Sequence, residues 1–262
     1  MNVILSEALM KDYKLSGSIV VYNKAEDAIK TVQSVVDNTG DNFSLYVIDN
    51  NSREKINEQL KKKFAVNYID LGENVGFGRG HNRVLDKIDS KYHFVINPDI
   101  LINGDTIDNL CDFMDSHPDC VIACPKVENP DSTVQYIAKK RPRLLSLIAR
   151  RIRLPFLKKY EDDYLMRAAN QDESFEIDFC TGCFFVIRTY VFKEIGGFDS
   201  DYFLYFEDAD ITMRAKQKGK AYYAPCASVT HFWHRETATS KRRFFTQLKS
   251  MFIYFSKWGF KL

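Results

Sequence analysis

This sequence predicts an α/β fold with a mostly parallel sheet covered on both faces, and three observations predict it. Short β-branched apolar runs alternate with helical apolar patterns through the first 125 residues. Successive runs end abruptly in polar or glycine residues, at Asn23, at Asp49, after Leu71 and at Asp99, and ligands of such sheets bind beyond the carboxyl ends of the strands. Far along the chain, Asp199, Asp201, Glu207, Asp208 and Asp210 stand among Phe198, Tyr202, Phe203, Tyr205 and Phe206. Aromatic rings favour burial and carboxylates favour water, so a stretch that mixes them suits the wall of a cleft.

Residues 1–16 show no clear period and read as an arm. Ser18–Tyr22 is a buried strand, and Ile29, Val32 and Val36 mark a helix over Ala25–Val36. A second strand, Phe43–Ile48, ends in Asp49-Asn50-Asn51-Ser52, with Ser52 as N-cap of a helix from about Arg53 to Lys63. Val66–Leu71 is a third strand; glycines 72, 76, 78 and 80 then lead into a helix carrying Val84, Leu85 and Ile88. His93–Ile96 is a fourth strand, Thr106–His117 a helix and Val121–Ala123 a fifth strand. After Pro125 the rhythm breaks, and residues 126–177 read as irregular, basic and leucine-rich. Strand character returns at Ile177–Ile187 and at Ala221–Ala224. Between them a helix begins at Glu207, with Asp210 and Arg214 paired at i,i+4 and Glu207 and Asp208 in its first turn, where the helix dipole favours anions. Lys241–Trp258 is a last helix, with Phe244, Phe245, Leu248, Met251, Phe252 and Phe255 on one stripe.

Composition narrows the class. The 262 residues, 45% hydrophobic and 27% charged, suit an ordinary globular chain, and no apolar run reaches the roughly 18 residues of a membrane span. MNVILSEALMKDYK lacks a basic n-region and a long apolar core, so a signal peptide is not expected. Six cysteines without an export signal fit free thiols in a reducing cytoplasm, and Cys180 and Cys183 read as buried thiols because zinc needs more ligands nearby. The net charge of +2 hides an asymmetry: Ser132–Tyr160 holds nine Lys or Arg and Thr237–Leu262 six, neither with an acid. Both segments are candidates for facing something anionic.

Four places could carry chemistry. Asp49, at a strand end, can accept from a nucleobase N–H or a ribose hydroxyl, or can cap a turn. Gly72–Gly80 is glycine-dense at a helix mouth, where backbone N–H groups can meet phosphate and Arg79 can add charge; it is neither a P-loop nor a dinucleotide fingerprint. Asn97-Pro98-Asp99 presents a carboxylate at the sheet edge, where one carboxylate and substrate phosphates can hold Mg²⁺ or Mn²⁺. His231 and His234 lie three apart, so on a strand only one of them reaches a given side.

VVYN at 20–23, IDNNS at 48–52, NVGFGRGHN at 74–82, NPD at 97–99, TGCFFVIR at 181–188, GGFDSDYFLYFEDADITMR at 196–214 and VTH at 229–231 occur in the order found in family 2 glycosyltransferases. The chain most resembles their bacterial rhamnosyltransferase branch, which builds surface polysaccharides. The resemblance spans about residues 17–258 and implies one GT-A domain with a Rossmann-like sheet: a nucleotide-sugar half over 17–125, an acceptor and catalytic half over 126–240, and a basic amphipathic helix over 241–262. It implies a nucleotide-sugar donor (dTDP-L-rhamnose first, a UDP-hexose second), a divalent Mg²⁺ or Mn²⁺, and inversion at the anomeric carbon. By matching position the donor meets Tyr22, Asn23, Asp49, Asn74, Gly76, Arg79, Asn97 and Asp99; Asp99 and His231 hold the metal; Asp208, beside Glu207, is the base; and Thr181, Gly182, Phe198 and Asp199 face the acceptor. Asn97 replaces the first aspartate of the family's metal motif, which leaves fewer protein charges on the metal and implies firm binding only with the donor. The basic, leucine-rich segment 139–159 and the basic, aromatic C-terminal helix suggest an acceptor anchored in a membrane, a saccharide on a polyprenyl diphosphate met by a cytoplasmic protein at the inner-membrane surface. The alternative is that this helix packs on its own domain with its lysines outward. The rival readings are a sugar-phosphate nucleotidyltransferase and a nucleic-acid binder, the latter leaving the strand-end carboxylates without a use.

Overall fold

The protein is described by a computed structural model over residues 13–152, 154–232 and 241–260. β1 (Leu15–Val21) is buried along its length, and α1 (Ala25–Asp37) lays Ala28, Val32 and Val35 on the sheet. β2 (Phe43–Asp49), α2 (Asn57–Lys63) and β3 (Asn67–Asp70) follow, then α3 (Phe77–His81), one 3₁₀ turn over Asn82–Val84, and β4 (Tyr92–Ile96). β5 (Ile100–Ile102), α4 (Thr106–Ser116) and β6 (Cys120–Glu128) complete the regular part. Among the described residues the main sheet has the order β3-β2-β1-β4, then a strand from much later in the chain, β11 (Phe184–Arg188), then β6, β12 (Lys220–His231) and β5. β3, β2, β1 and β4 run parallel; β11 enters antiparallel between β4 and β6; β12 is parallel to β6 and antiparallel to β5. Strands covered on both faces need apolar residues on both, which is why β1 and β4 read as unbroken apolar runs.

Several expectations need correction. The second helix begins at Asn57, not Arg53, and Ser52 does not cap it. The Ser52 hydroxyl accepts the Asn23 N–H at 3.0 Å while its own N–H donates to Asp49 Oδ1 at 2.6 Å, so these strand-end residues claim Ser52 for a turn. The stretch 126–177 is not irregular: it holds β7 (Val134–Gln135), β8 (Ala138–Lys139), α5 (Leu144–Ile152), α6 (Lys158–Tyr164) and β9 (Phe175–Ile177). Elements this short show too little of a period to be legible. Ile177–Ile187 is not one strand, because after β10 (Phe179–Cys180) the chain turns through Thr181–Cys183 before β11. Ala221–Ala224 is only the start of β12, whose register shifts between Ala224 and Ser228.

α7 (Thr189–Glu194) and α8 (Glu207–Ala215) lie between β11 and β12, and α9 (Lys241–Trp258) closes the chain. A second, smaller apolar cluster of Tyr164, Phe179, Tyr202, Ala209, Tyr254 and Phe255 packs α9 onto α8. Trp258 Nε1 donates to Asp210 Oδ1 at 2.8 Å, and Lys257 reaches Asp210 at 2.8 Å and Asp199 at 2.6 Å. The buried face of α9 is therefore Ser250, Tyr254 and Phe255, and most of the expected stripe (Phe244, Phe245, Leu248 and Phe252) is exposed.

A polar chain runs through the main core. Ser16 Oγ meets His93 Nδ1 at 2.8 Å, and Ser18 Oγ joins His93 Nε2 at 2.9 Å to His81 Nδ1 at 2.7 Å. Burial pushes His93 down to about 3, and burial with the His93 charge lowers His81 too. The unfolded imidazoles bind protons below about 6.5 and the folded ones do not, so stability should fall as pH drops from about 6.5 toward 3, by about 1.4 kcal/mol per pH unit for each. Urea unfolding of the wild type and of His93→Gln should therefore converge as the pH falls; a constant gap across that window would contradict it.

Candidate active site

A cleft of about 1000 Å³ opens beyond the carboxyl ends of β1 and β4. Asp99 and Asp208, more than a hundred positions apart, both line it. The turn Thr181–Cys183 brings them together: Gly182 N–H donates to Asp208 Oδ2 at 3.1 Å, and the next carbonyl, Cys183, accepts the Asn97 N–H at 2.8 Å. A Cβ on Gly182 would stand 3.2 Å from Asp208 Cβ, so the close approach needs glycine. Thr181 lines the cleft with its hydroxyl donated to the Ile137 carbonyl at 2.8 Å.

The Asp99 side is built by sheet register. β12 pairs His231 with Ile100, and Phe232 N–H donates to the Asp99 carbonyl at 2.9 Å, so His231 Nε2 lies 3.3 Å from Asp99 Oδ1. The Gln135 amide donates both hydrogens, to Asn129 Oδ1 at 2.7 Å and the His231 carbonyl at 3.0 Å, which turns its Oε1 to His231 Nδ1 at 2.9 Å. Gln135 thereby orients the His231 ring with Nε2 toward Oδ1 of the Asp99 carboxylate. Both atoms are buried with no other hydrogen-bond partner. An imidazole nitrogen facing a carboxylate oxygen is a donor set that suits a divalent ion. Among the described residues no group of three His, Cys, Asp or Glu side chains that could hold a metal ion gathers. Lys24 reaches Asp99 Oδ2 at 2.8 Å. Burial pushes the Asp99 carboxyl up, and His231 and the Lys24 ammonium more than offset this, so it stays below the ordinary range.

Gln135→Leu should free the His231 ring from this orientation. Loss of such an outer partner typically costs about 10–100-fold in metal affinity. Mn²⁺ titration followed by calorimetry reads this directly, and an unchanged affinity would remove Gln135 from the site.

On the other wall, Tyr205 and Phe206 both take positive φ, 72° and 65°, directly before α8. Consecutive bulky residues in this region are strained, and such strain persists where the surroundings enforce it. The turn presents Glu207 and Asp208 to the cleft at the first turn of α8. Burial and the neighbouring Asp208 charge push the Glu207 carboxyl well up, and its Oε2 has no partner. Burial also raises Asp208, but Lys139 and the N–H groups of Gly182 and Ala209 (3.1 and 2.9 Å) favour its ionised form. When the pair shares one proton, that proton resides on Glu207 and Asp208 stays basic.

Tyr22, Asn74, Gly76 and Asn97 line the cleft. Asn23, Asp49, Arg79, Phe198 and Asp199 do not line it. Asn23 Oδ1 accepts the Arg53 N–H at 2.9 Å. Asp49 is buried, accepting from Ser52 N–H, from the Tyr68 hydroxyl at 2.6 Å and from Lys55 at 3.1 Å, while its neighbour Asn50 faces the cleft. Arg79 Nε donates to the Ser200 carbonyl at 2.7 Å, and Asp199 pairs with Lys257. The glycines admit the chain's own backbone rather than a phosphate alone. Gly76, at φ 90°, would bring a Cβ within 2.2 Å of the Phe203 carbonyl, and Phe198 fills the space a Cβ on Gly78 would need. His234 lies outside the described residues. Cys180 and Cys183 are buried, and burial pushes the Cys183 thiol up to about 12.

Lys24, Gln135 and Lys139 were not singled out by the sequence; Lys24 adjoins a strand-end asparagine, and nothing in the pattern around Gln135 marks it.

Residues 18–196 match the model of Glycosyl transferase family 2. The chain is 24% identical over 255 residues to Rhamnosyltransferase WbbL of Escherichia coli (strain K12), covering 91% of this chain and 92% of that protein. It is 25% identical over 212 residues to the N-acetylglucosaminyl-diphospho-decaprenol L-rhamnosyltransferase of Mycobacterium tuberculosis, covering 76% of this chain and 68% of that protein. A solved structure of the mannosyltransferase PcManGT from Pyrobaculum calidifontis, in complex with GDP-Man and Mn²⁺, superposes with a TM-score of 0.65 at 13% identity. The match covers 94% of this chain and 64% of PcManGT, and it bears on the fold, which is of the GT-A kind.

Proposed function

Because this chain belongs to glycosyl transferase family 2, we propose that it moves a sugar, L-rhamnose from dTDP-L-rhamnose, onto a saccharide hydroxyl with inversion. The observation that supports the reading is that Asp99, His231 and Asp208 line one cleft, with the turn Thr181–Cys183 bonded to Asp208 on one side and to Asn97 on the other. The rhamnose donor is favoured by the names of the two relatives. In this reading residues 17–125 form the donor half and 126–240 the acceptor half, with Asn50, Asn74 and Gly76 beside the nucleotide. Asp49 takes up the base in exchange for Tyr68 or Lys55.

Asp208 accepts the proton of the acceptor hydroxyl as its oxygen bonds to the anomeric carbon from the face opposite the diphosphate. The bond from that carbon to the diphosphate oxygen breaks, and its electron pair leaves with the nucleoside diphosphate. Asp99 and His231 would hold Mg²⁺ or Mn²⁺, which when bound supplies Lewis-acid stabilisation of the departing charge. Mn²⁺ accompanies the donor in the PcManGT complex, which supports that choice. The acceptor saccharide is carried on a polyprenyl diphosphate, as the name of the mycobacterial relative suggests. No helix among the described residues is long and apolar enough to cross a membrane; in this reading the acceptor is met at the cytoplasmic surface of the bilayer.

A panel of nucleotide sugars with Mg²⁺ or Mn²⁺, scored for nucleoside diphosphate release, tests this. dTDP release from dTDP-L-rhamnose, stimulated by a lipid-linked saccharide, is expected. Release of pyrophosphate from a nucleoside triphosphate and a sugar phosphate would replace the reading with a nucleotidyltransferase, and turnover of another donor alone would replace the sugar.

A further inference from the structure

The cations of the cleft are unevenly answered. On the donor side Lys24 is paired with Asp99 at 2.8 Å. On the Asp208 side Lys139 and Arg150 line the same cleft, and among the described residues neither has a carboxylate within ion-pair distance. The contacts they do make are with rings: Lys139 Nζ lies 4.7 Å from the Phe179 centroid, and the Arg150 guanidinium 5.7 Å from that of Tyr164. The two charges also work against each other. Burial, then the Arg150 charge, brings the Lys139 ammonium down to about 8, and Asp208 only partly compensates. Like charges held together in a cleft wall are stabilised by an anion, and phosphate oxygens are the acceptors these side chains suit.

The surface beside this pair is apolar. α5, which carries Arg150, exposes Ile152 (55% accessible), and the following turn exposes Phe156 (70%). α9 exposes Phe245 and Phe252, each 66% accessible. The Arg151 guanidinium lies 5.3 Å from the centroid of Phe244, which sets the end of α5 beside the start of α9. Lys158 and Lys159 follow Phe156 in the chain and Lys241 and Arg242 precede Phe244, all four exposed. A large exposed apolar face edged with positive charge fits a ligand that is both anionic and hydrocarbon. The face is fixed relative to the base, because Trp258 and Lys257 tie the far end of α9 to Asp210 of α8.

Resting on the transferase reading above, we infer that Lys139 and Arg150 form a phosphate subsite on the acceptor side of the cleft, and that the exposed rings of α5 and α9 receive the hydrocarbon chain esterified to that phosphate. The acceptor is thereby a lipid phosphate or diphosphate, presented with its tail across the α5–α9 face and its sugar toward Asp208. The donor's own diphosphate lies at the opposite wall, beside Asp99.

Binding of farnesyl diphosphate, farnesol and inorganic pyrophosphate to the full chain, measured by calorimetry with dTDP and Mg²⁺ present to occupy the donor side, separates the parts. Farnesyl diphosphate is expected to bind at least about tenfold more tightly than either fragment. Lys139→Gln with Arg150→Gln should lose about tenfold or more in affinity for farnesyl diphosphate and little for farnesol, while Lys139→Arg with Arg150→Lys restores it. Phe245→Ser with Phe252→Ser should bring farnesyl diphosphate to the affinity of pyrophosphate. Thermal melting of each variant identifies a folding defect, and a destabilised pair is replaced by the charge-keeping exchange alone, whose binding should match the wild type. Equal binding of farnesyl diphosphate and pyrophosphate would overturn the apolar part, and unchanged binding by the double glutamine variant the phosphate part. Nucleoside diphosphate release to a water-soluble acceptor without lipid binding would refute the subsite and leave the transferase reading standing. Lipid binding without release from any nucleotide sugar would do the reverse.

Discussion

Asp208→Asn is expected to lower turnover by about 10²–10⁴ while the donor affinity stays within a few-fold of wild type. The exchange keeps the shape and one acceptor oxygen, so it removes the capacity to take a proton and one of the two N–H contacts from Gly182 and Ala209. The pH profile supplies a second readout. Burial raises the Asp208 carboxyl above its ordinary value, so the wild-type rate should fall as pH drops through an inflection above the usual aspartate range. That inflection should disappear in the variant. Glu207→Gln should be milder, because its carboxyl, pushed further up by burial and by Asp208, already holds a proton when the pair shares one. Near-normal turnover by Asp208→Asn would move the base elsewhere.

The second large effect is expected from Asp99→Ala. The loss removes one of two facing groups, 3.3 Å apart, that suit a divalent ion, and leaves His231 Nε2 without its partner. Lewis-acid stabilisation worth several kcal/mol corresponds to a fall of about 10²–10⁴ in kcat/KM, together with loss of Mn²⁺ binding by calorimetry. Asp99 also anchors Lys24, so Lys24→Met is the necessary comparison. It should weaken donor affinity and leave metal binding detectable; if Lys24→Met abolishes Mn²⁺ binding equally, the ion is not held as described.

How much of this was legible depended on distance along the chain. The parallel strands β1 and β4 showed as apolar runs because burial on both faces demands them, and Asp99, Glu207 and Asp208 stood out as carboxylates at apolar boundaries. The partners that orient them did not. Gln135 sits in a two-residue strand and Lys139 in another, both too short for a period, and each matters only through pairing with a residue far along the chain. Asp49 was correctly placed at a strand end, yet Tyr68 and Lys55, which hold its carboxylate, come from neighbouring elements whose packing no local pattern reveals. The glycine segment was visible as a place for close approach, but what approaches, Phe198 and Phe203, is more than a hundred residues away. α9 was read with the right ends and the right apolar stripe, but which part of that stripe is covered was not legible, since amphipathic periodicity does not say what an apolar face packs against.

The position of β11 between β4 and β6 has a consequence for biogenesis. A nascent chain that has emerged as far as Glu128 carries both neighbours of that strand and nothing to seat between them, so the β4 edge stays open until Phe184–Arg188 leaves the ribosome. Long-range pairings of this kind form late and slowly, and an open apolar edge is prone to aggregate meanwhile. The same segment carries Gly182 and Cys183, which bond to Asp208 and Asn97, so the Asp208 wall of the cleft forms only once this strand and α8 behind it have both emerged.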